Sequence, residues 1–275
     1  MKKAIFILSG ALLFFISMTD LSAQKGDTLA PYRDFMRLSN AYKTMPLYLE
    51  AGIRKADSFE SGAEDTSSTS AIFFLNNENA YLRAGAFEQV VSDSMALLID
   101  NNFRHMVLYT GASPVIQKMR AVMNITVFPD SSLQYIAGRY KGRVLPASDS
   151  DNRIELESRM TIAGTHLPNE QIEMRYDAKK NEPRMVRTVK RMLQPVDDAG
   201  YQIMKADSNY SGRLIQANGG YFLIREQVVE YVFEKIDHSG DNKVPLVIHD
   251  RVVKNEEGEF VPAKEYAHYK LTVNN

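Results

Sequence analysis

Two short acidic runs come nearest, by residue type and spacing, to a chemical site. Residues 237–242 (DHSGDN) have the oxygen-rich character of a calcium-binding loop. However, Asn242 stands where such a loop needs glycine, and Ile248 stands where it needs a bidentate glutamate. Asp149 and Asp151 are neighbours in one polar run, whereas the carboxylates of a hydrolytic pair face each other across a cleft. Asp, Asn, Ser and Gly all favour turns, so we predict that both runs form solvated turns.

The remaining reactive residue types show no pattern typical of an enzyme. The chain has no cysteine, which excludes a thiol nucleophile and any disulfide. It has no Gly-x-Ser-x-Gly elbow, no His-Glu-x-x-His pair and no phosphate-binding glycine loop. The histidines lack metal-ligand spacing; they are His105, His166, His238, His249 and His268. We therefore predict no catalytic residue, no metal ion and no cofactor, although a hydrolase site assembled from distant segments stays open.

The N-terminus predicts export. Residues 1–23 combine Lys2 and Lys3 with an apolar core at residues 4–16 and a small residue, Ala23, before Gln24. This is the pattern of a cleaved signal peptide, and the core is shorter than the ~20 residues that a membrane span requires. We expect a bacterial, periplasmic protein that is soluble after cleavage, with no transmembrane segment. A net charge of −1 gives no support for binding nucleic acid.

Hydrophobic periodicity predicts two helices. The first covers residues 28–45, where Phe35 and Leu38 share one face. The second covers residues 113–123 and starts at a Ser-Pro pair, which suits a helix N-terminus. Its apolar stripe includes Val115, Met119 and Val122. A polar loop is predicted at residues 58–70.

Most of the remaining chain is predicted to form antiparallel strands. Apolar and charged residues alternate in residues 170–176, a polar turn follows, and a second apolar run occupies residues 184–192, for which helical spacing is the alternative. Further strands are predicted at residues 47–53, 71–76, 79–84, 88–92, 95–100, 103–109, 153–157, 201–206, 213–217, 221–236, 244–254 and 259–273. The fold class is mainly β with two or three helices (α+β), in one domain at residues 24–275.

The runs RIELES (residues 153–158) and IEMRYDAKKNEP (residues 172–183) give the chain a family resemblance. Together with the order of helices and strands, they resemble the LolA/LolB-like periplasmic lipoprotein-carrier superfamily. The resemblance covers residues 28–195, and it leaves residues 196–275 as a C-terminal strand extension. It implies a curved antiparallel sheet, or incomplete barrel, with a helical lid over an apolar concavity. A membrane-anchored acceptor is excluded in its usual form, because the chain has no lipobox cysteine.

The resemblance implies a non-enzymatic protein that binds an apolar ligand, an acyl chain or a lipoprotein, in the concave face of the sheet. The side chains expected to line this cavity are Phe35, Leu38, Val115, Met119, Val122, Ile154, Leu156, Ile172 and Met174. The alternative is an envelope scaffold or interaction module that binds a protein partner and fills its own core. Alternating apolar faces do not distinguish the two, because a sheet filled by side chains and one filled by ligand have the same pattern.

Overall fold

The computed structural model describes residues 28–40, 44–57, 66–76, 78–92, 95–111, 132–147, 151–210 and 212–274. The predicted signal peptide and the predicted second helix, with Val115, Met119 and Val122, lie outside these residues. Strands dominate the described part of the chain, which confirms the mainly β fold class. No helix among the described residues is long and apolar enough to cross a membrane.

The strands are numbered in chain order. They are β1 (Leu47–Asp57), β2 (Thr66–Leu75), β3 (Ala80–Ala84), β4 (Phe87–Ser92), β5 (Met95–Asp100), β6 (His105–Tyr109), β7 (Tyr140–Pro146), β8 (Asp151–Ser158), β9 (Glu170–Asp177), β10 (Glu182–Val196), β11 (Leu214–Ala217), β12 (Gly220–Asp237), β13 (Val252–Lys254), β14 (Phe260–Pro262) and β15 (Lys270–Asn274). The helices are α1 (Ala30–Ser39), α2 (Ser132–Arg139) and α3 (Asp198–Ala206).

One open, curved sheet contains 13 of these strands. Its order is β15-β6-β5-β4-β3-β2-β1-β12-β10-β9-β8-β7, with β11 paired to the start of β12. The pairs are antiparallel except for β15 and β6, which run parallel. The long strand β12 bonds to β10 on one side and to β1 on the other. The C-terminal region at residues 196–275 therefore supplies the strand that joins the two halves of the sheet.

The described helices differ from the predicted ones. Helix α1 ends at Ser39, well before residue 45, and Met45 packs beside the sheet instead. Helix α3 replaces the strand predicted at residues 201–206, because the Asp197 carboxylate accepts a hydrogen bond from the Gly200 N–H at 2.7 Å and caps a helical turn. Helix α2 was not predicted from the sequence.

The predicted loop at residues 58–70 and the predicted strands at residues 244–254 and 259–273 have other bounds in the structure. Part of the loop predicted at residues 58–70 belongs to β2, where Ser68 and Ser70 pair with Arg54 and Gly52 of β1. The strands predicted at residues 244–254 and 259–273 reduce to β13, β14 and β15, separated by turns and short 3-10 segments. Apolar residues between these short strands pack against the sheet, so alternation there does not reflect one long ladder.

Three clusters of buried side chains hold the sheet. The helix cluster joins α1 and α2 to β7–β9; its buried members are Tyr32, Phe35, Met36, Leu38, Ile136, Tyr140, Ile154, Leu156, Met174 and Tyr176. The C-terminal cluster joins β2–β6 to residues 244–271; its buried members are Phe74, Tyr81, Val90, Leu97, Ile99, Met106, Leu108, Ile248 and Val252. A small cluster consists of Leu75, Ala80, Val91 and Ala96.

Candidate functional site

Strand register assigns each side chain to one of two faces of the sheet. Residues directly opposite each other on paired strands point to the same face, and successive residues on a strand alternate. Ile154, Met174, Val186, Tyr231 and Ile53 are opposite one another across β8, β9, β10, β12 and β1. Ile154 and Met174 pack under the helices, so we call this side the helix face and the other side the opposite face.

The predicted cavity residues that the structure describes lie together on the helix face or on α1. Phe35, Leu38, Ile154, Leu156 and Met174 are buried in the helix cluster, and the remaining one, Ile172, is partly buried against it. Leu38 and Ile154 have no exposed surface. These side chains are therefore packed against one another in this structure.

Tyrosine hydroxyls fix one edge of the helix cluster. The Tyr32 hydroxyl of α1 donates to the Tyr140 carbonyl at 3.0 Å and accepts from the Gly142 N–H at 2.9 Å. The Tyr140 hydroxyl donates to Glu170 Oε2 at 2.5 Å. Burial, followed by this hydrogen bond, raises the pKa of Tyr140 far above its ordinary value. The contacts are structural, since a tyrosine with a raised pKa stays protonated and does not act as a base.

Apolar side chains on the helix face stay partly open between the helix cluster and the small cluster. They form what we call the open strip: Val186 on β10, Val229 and Tyr231 on β12, Ile53 on β1, Ala71 on β2, Ala84 on β3 and Phe87 on β4. The side chain of Tyr231 is 38% exposed and that of Phe87 is 37% exposed, while the others are half-buried. They are in register or one diagonal step apart, and Lys55, Thr188 and Thr69 stand on the same face directly opposite Val229 and Ile53.

The sequence alone did not identify the open strip. Alternation in β12 predicts that Val229 and Tyr231 share a face, but it does not say whether that face is covered. The predicted cavity residues lie on the two predicted helices and in residues 153–176, and none of them belongs to β12. The pairing of β12 with both β10 and β1 is a long-range property, and it places this strand between the two packed regions.

Charges cover the opposite face of strands β7–β10. Arg143 contacts Glu155 at 2.5 Å, and Arg175 contacts Glu173 at 2.8 Å. Arg184 contacts Asp177 at 2.6 Å. These side chains neutralise one another in pairs, in which the carboxylates are buried and the arginines are exposed.

Asp177 has the clearest pKa shift in this network. The backbone N–H of Lys180 and the guanidinium of Arg184 stabilise its charged form and lower its pKa to about 2. A carboxyl group with this pKa is ionised at neutral pH. It therefore acts as an acceptor within the charged network and is a poor general acid.

A surface cleft of about 840 Å³ lies apart from the open strip, beside the start of α1 and the β7 edge. Its lining includes Leu29, Pro31, Lys141, Val144 and Arg159. Among the described residues, no three histidine, aspartate or glutamate side chains are placed to hold a metal ion. The open strip is the feature of the helix face that offers a ligand an extended apolar surface.

Comparison with known proteins gave distant matches in structure only. No family model matches the chain, and no curated protein matches it. The structure of a LolA superfamily protein from Nitrosomonas europaea covers 78% of this chain and 94% of its own, with 8% identity and a TM-score of 0.27. A domain from Vibrio parahaemolyticus, described as an outer membrane lipoprotein-sorting protein, covers 79% and 94%, with 8% identity and a TM-score of 0.26. Both likenesses to solved structures are weak.

Proposed function

We propose that this protein is an exported, non-enzymatic carrier that binds an apolar ligand, an acyl chain or a lipoprotein, on the helix face of its sheet. The open strip is the observation that carries the proposal. It is the surface on which the ligand lies, and the helix cluster closes the strip at the β10 end.

The helix face of the central strands carries the apolar residues of the open strip, and Lys55 and Thr188 stand opposite Val229 at its margin. On β12 the helix face carries Val229 and Tyr231, while Glu230 between them points to the opposite face. On β1 the helix face carries Ile53, and Arg54 points the other way. A sheet face that meets only water is usually polar, so an apolar face left partly open favours a binding surface.

The size of the strip suits a lipid chain. It crosses the strands from β10 to β4 in five inter-strand steps, which at ~4.8 Å each gives a length of ~24 Å. Each methylene group removed from water contributes ~0.8 kcal/mol, so a long acyl chain gains enough to stay bound through purification. A flat aromatic residue at each end, Tyr231 near one and Phe87 at the other, adds apolar contact area.

The N-terminal pattern supports the exported location. A cleaved signal peptide would deliver the protein to the periplasm, where lipid-modified proteins and free lipids need carriers for their apolar parts. Mass analysis of the exported protein should find Gln24 as its first residue. Retention of Met1 would contradict this part of the proposal.

The second candidate function is an envelope scaffold or interaction module with a closed core. The tight packing of Phe35, Leu38, Ile154 and Leu156 favours it, because those side chains are buried against one another where the predicted ligand would lie. A protein partner would then cover the open strip in place of a lipid. The two functions differ in whether the purified protein binds an acyl chain.

The test is a titration with a fluorescent fatty acyl probe, accompanied by solvent extraction of protein purified from its own host. We expect one saturable site and a co-purified lipid. Tyr231→Glu puts a charge on the strip between Ile53 and Val186 and should abolish saturable binding, because a buried unpaired carboxylate opposes an apolar ligand. The matched control, Val232→Glu, changes an exposed residue of the same strand on the opposite face and should bind as the unmodified protein does.

An unmodified protein that neither binds the probe nor yields lipid would reject the carrier function and favour the scaffold. Equal loss of binding in both variants would mean that the strip is not the binding surface.

A further inference from the structure

The strands at the two ends of the sheet order, β7 and β15, differ in how their outer backbone groups are occupied. On β7, the Tyr140 carbonyl and the Gly142 N–H point away from β8, and the Tyr32 hydroxyl binds both, at 3.0 and 2.9 Å. A Cβ atom at position 142 would lie 2.8 Å from the Tyr32 ring, so glycine allows this approach. The strand also carries Lys141, Arg143 and Pro146, residue types that discourage strand addition. This edge is blocked.

The other edge, β15, presents an unblocked row of backbone groups. The Lys270 N–H donates to the Arg104 carbonyl at 2.9 Å, and the Asn274 carbonyl accepts from the Thr110 N–H at 3.0 Å. Since backbone groups of successive residues alternate in direction, Lys270, Thr272 and Asn274 bond to β6. The N–H and C=O groups of Leu271 and Val273 point outward, and none of the described residues bonds to them there.

We infer that β15 is an interface for a second copy of this chain, which adds its own β15 in antiparallel orientation about a two-fold axis at Thr272. Leu271 of each copy then faces Val273 of the other, and their outward N–H and C=O groups form four hydrogen bonds. Because facing residues of an antiparallel pair share a face, the two sheets join as one continuous sheet. An isologous contact of this kind is closed, so the expected assembly is a dimer.

The side chains agree with this register. The strand is KLTVN, with one charge, and Lys270 faces Asn274 of the other copy, so no two lysines oppose each other. Thr272 of one chain faces Thr272 of the other, which makes a favourable pair of β-branched residues. Leu271 and Val273 stand together on the opposite face, where Val273 is 38% exposed in one chain and gains cover in the pair.

An exposed aromatic residue flanks the same edge. Phe103 is 82% exposed and precedes Arg104, whose carbonyl binds the first residue of β15. In the antiparallel register, the C-terminal end of the other copy runs toward this turn. The interface is small, because β15 has five residues, so we expect a concentration-dependent dimer and not an obligate one.

Sedimentation equilibrium over a range of concentrations tests the inference, which does not depend on the proposed function. Val273→Pro removes two of the four hydrogen bonds and should weaken dimerisation at least about tenfold. Val144→Pro is the matched control, since it removes an N–H at the β7 edge and should leave dimerisation unchanged. Circular dichroism checks that both variants are folded.

Hydrogen exchange of the unmodified protein gives a second readout that needs no variant. The Leu271 and Val273 amides should exchange more slowly at high protein concentration than at low concentration. A protein that is monomeric at every concentration would overturn the inference. So would a dimer in which these two amides show no concentration dependence, or one that Val144→Pro disrupts and Val273→Pro does not.

Discussion

The two halves of the sheet are covered on different faces. In strands β7–β9, α1 and α2 bury the helix face and the opposite face carries paired charges. In strands β2–β6, residues 244–271 bury the opposite face with apolar side chains. The cover changes sides near β1 and β12, the strands that join the halves. The open strip begins at this change, so its exposure follows from how the chain is routed over the sheet.

Residues 244–271, which cover strands β2–β6, have little regular secondary structure and depend on a buried ion pair. Arg251 belongs to residues 244–271, and its guanidinium forms an ion pair with Glu88 of β4 and donates to the Val247 carbonyl at 3.0 Å. Both side chains are nearly inaccessible to solvent. By contrast, the charged pairs on β7–β10 include an exposed arginine, and exposed pairs contribute little to stability.

The largest effect is expected from breaking the buried pair. Arg251→Met leaves the Glu88 carboxylate buried without its cation and should lower the free energy of unfolding by ~3–5 kcal/mol. Urea denaturation measures it. The double variant Glu88→Met, Arg251→Met should recover most of the loss, because two packed apolar side chains replace the pair. A loss below ~1 kcal/mol in the single variant would mean that this pair does not anchor the C-terminal cover.

A comparable loss in the free energy of unfolding is expected when a cavity is opened in the core of either half of the sheet. Leu156→Ala in the helix cluster and Leu97→Ala in the C-terminal cluster each remove a fully buried side chain. Each should cost ~2–5 kcal/mol. Because β12 and β1 join the halves by a long ladder, both variants should unfold in one shared thermal transition. Two separate transitions would show that the halves fold independently.

The smallest effect is expected on the charged face. The folded-state pKa of Asp177 is about 2, below the ordinary 3.8, so this group stabilises the fold above pH 3.8 and loses that contribution as the pH falls toward 2. Arg184→Gln removes one of the two main causes and should raise the pKa toward 3.8. A carboxyl-carbon NMR titration of both proteins measures the shift. An unchanged pKa would leave the backbone N–H groups as the whole cause.

The strand ladders could be predicted from sequence where alternation is strong. Residues 170–176 and 184–192 do form the predicted antiparallel pair, with Met174 facing Val186. In residues 172–176 every second residue is apolar, and the turn after this strand is polar, so local pattern and tertiary structure agree there.

Other parts of the fold could not be predicted because local patterns were ambiguous. Residues 201–206 contain Tyr201 and Ile203, which favour strands, but the Asp197 cap and the turn at Gly200 lead into helix α3. Residues 244–273 alternate without forming long ladders. For the candidate site, the sequence predicted side chains that line a ligand cavity, and their role in binding stays a prediction, whereas the open strip depends on the pairing of β12 with β1.

The carrier account rests on the claim that the ligand lies on one face of β12, and cysteine scanning measures this directly. Because the chain has no cysteine, each single variant carries a unique thiol. Maleimide labelling of Val228→Cys, Val229→Cys, Tyr231→Cys and Val232→Cys is timed with and without a saturating long-chain fatty acid. We predict slower labelling with the fatty acid at positions 229 and 231 and no change at positions 228 and 232. Protection at none of the four positions, or at 228 and 232, would contradict the account.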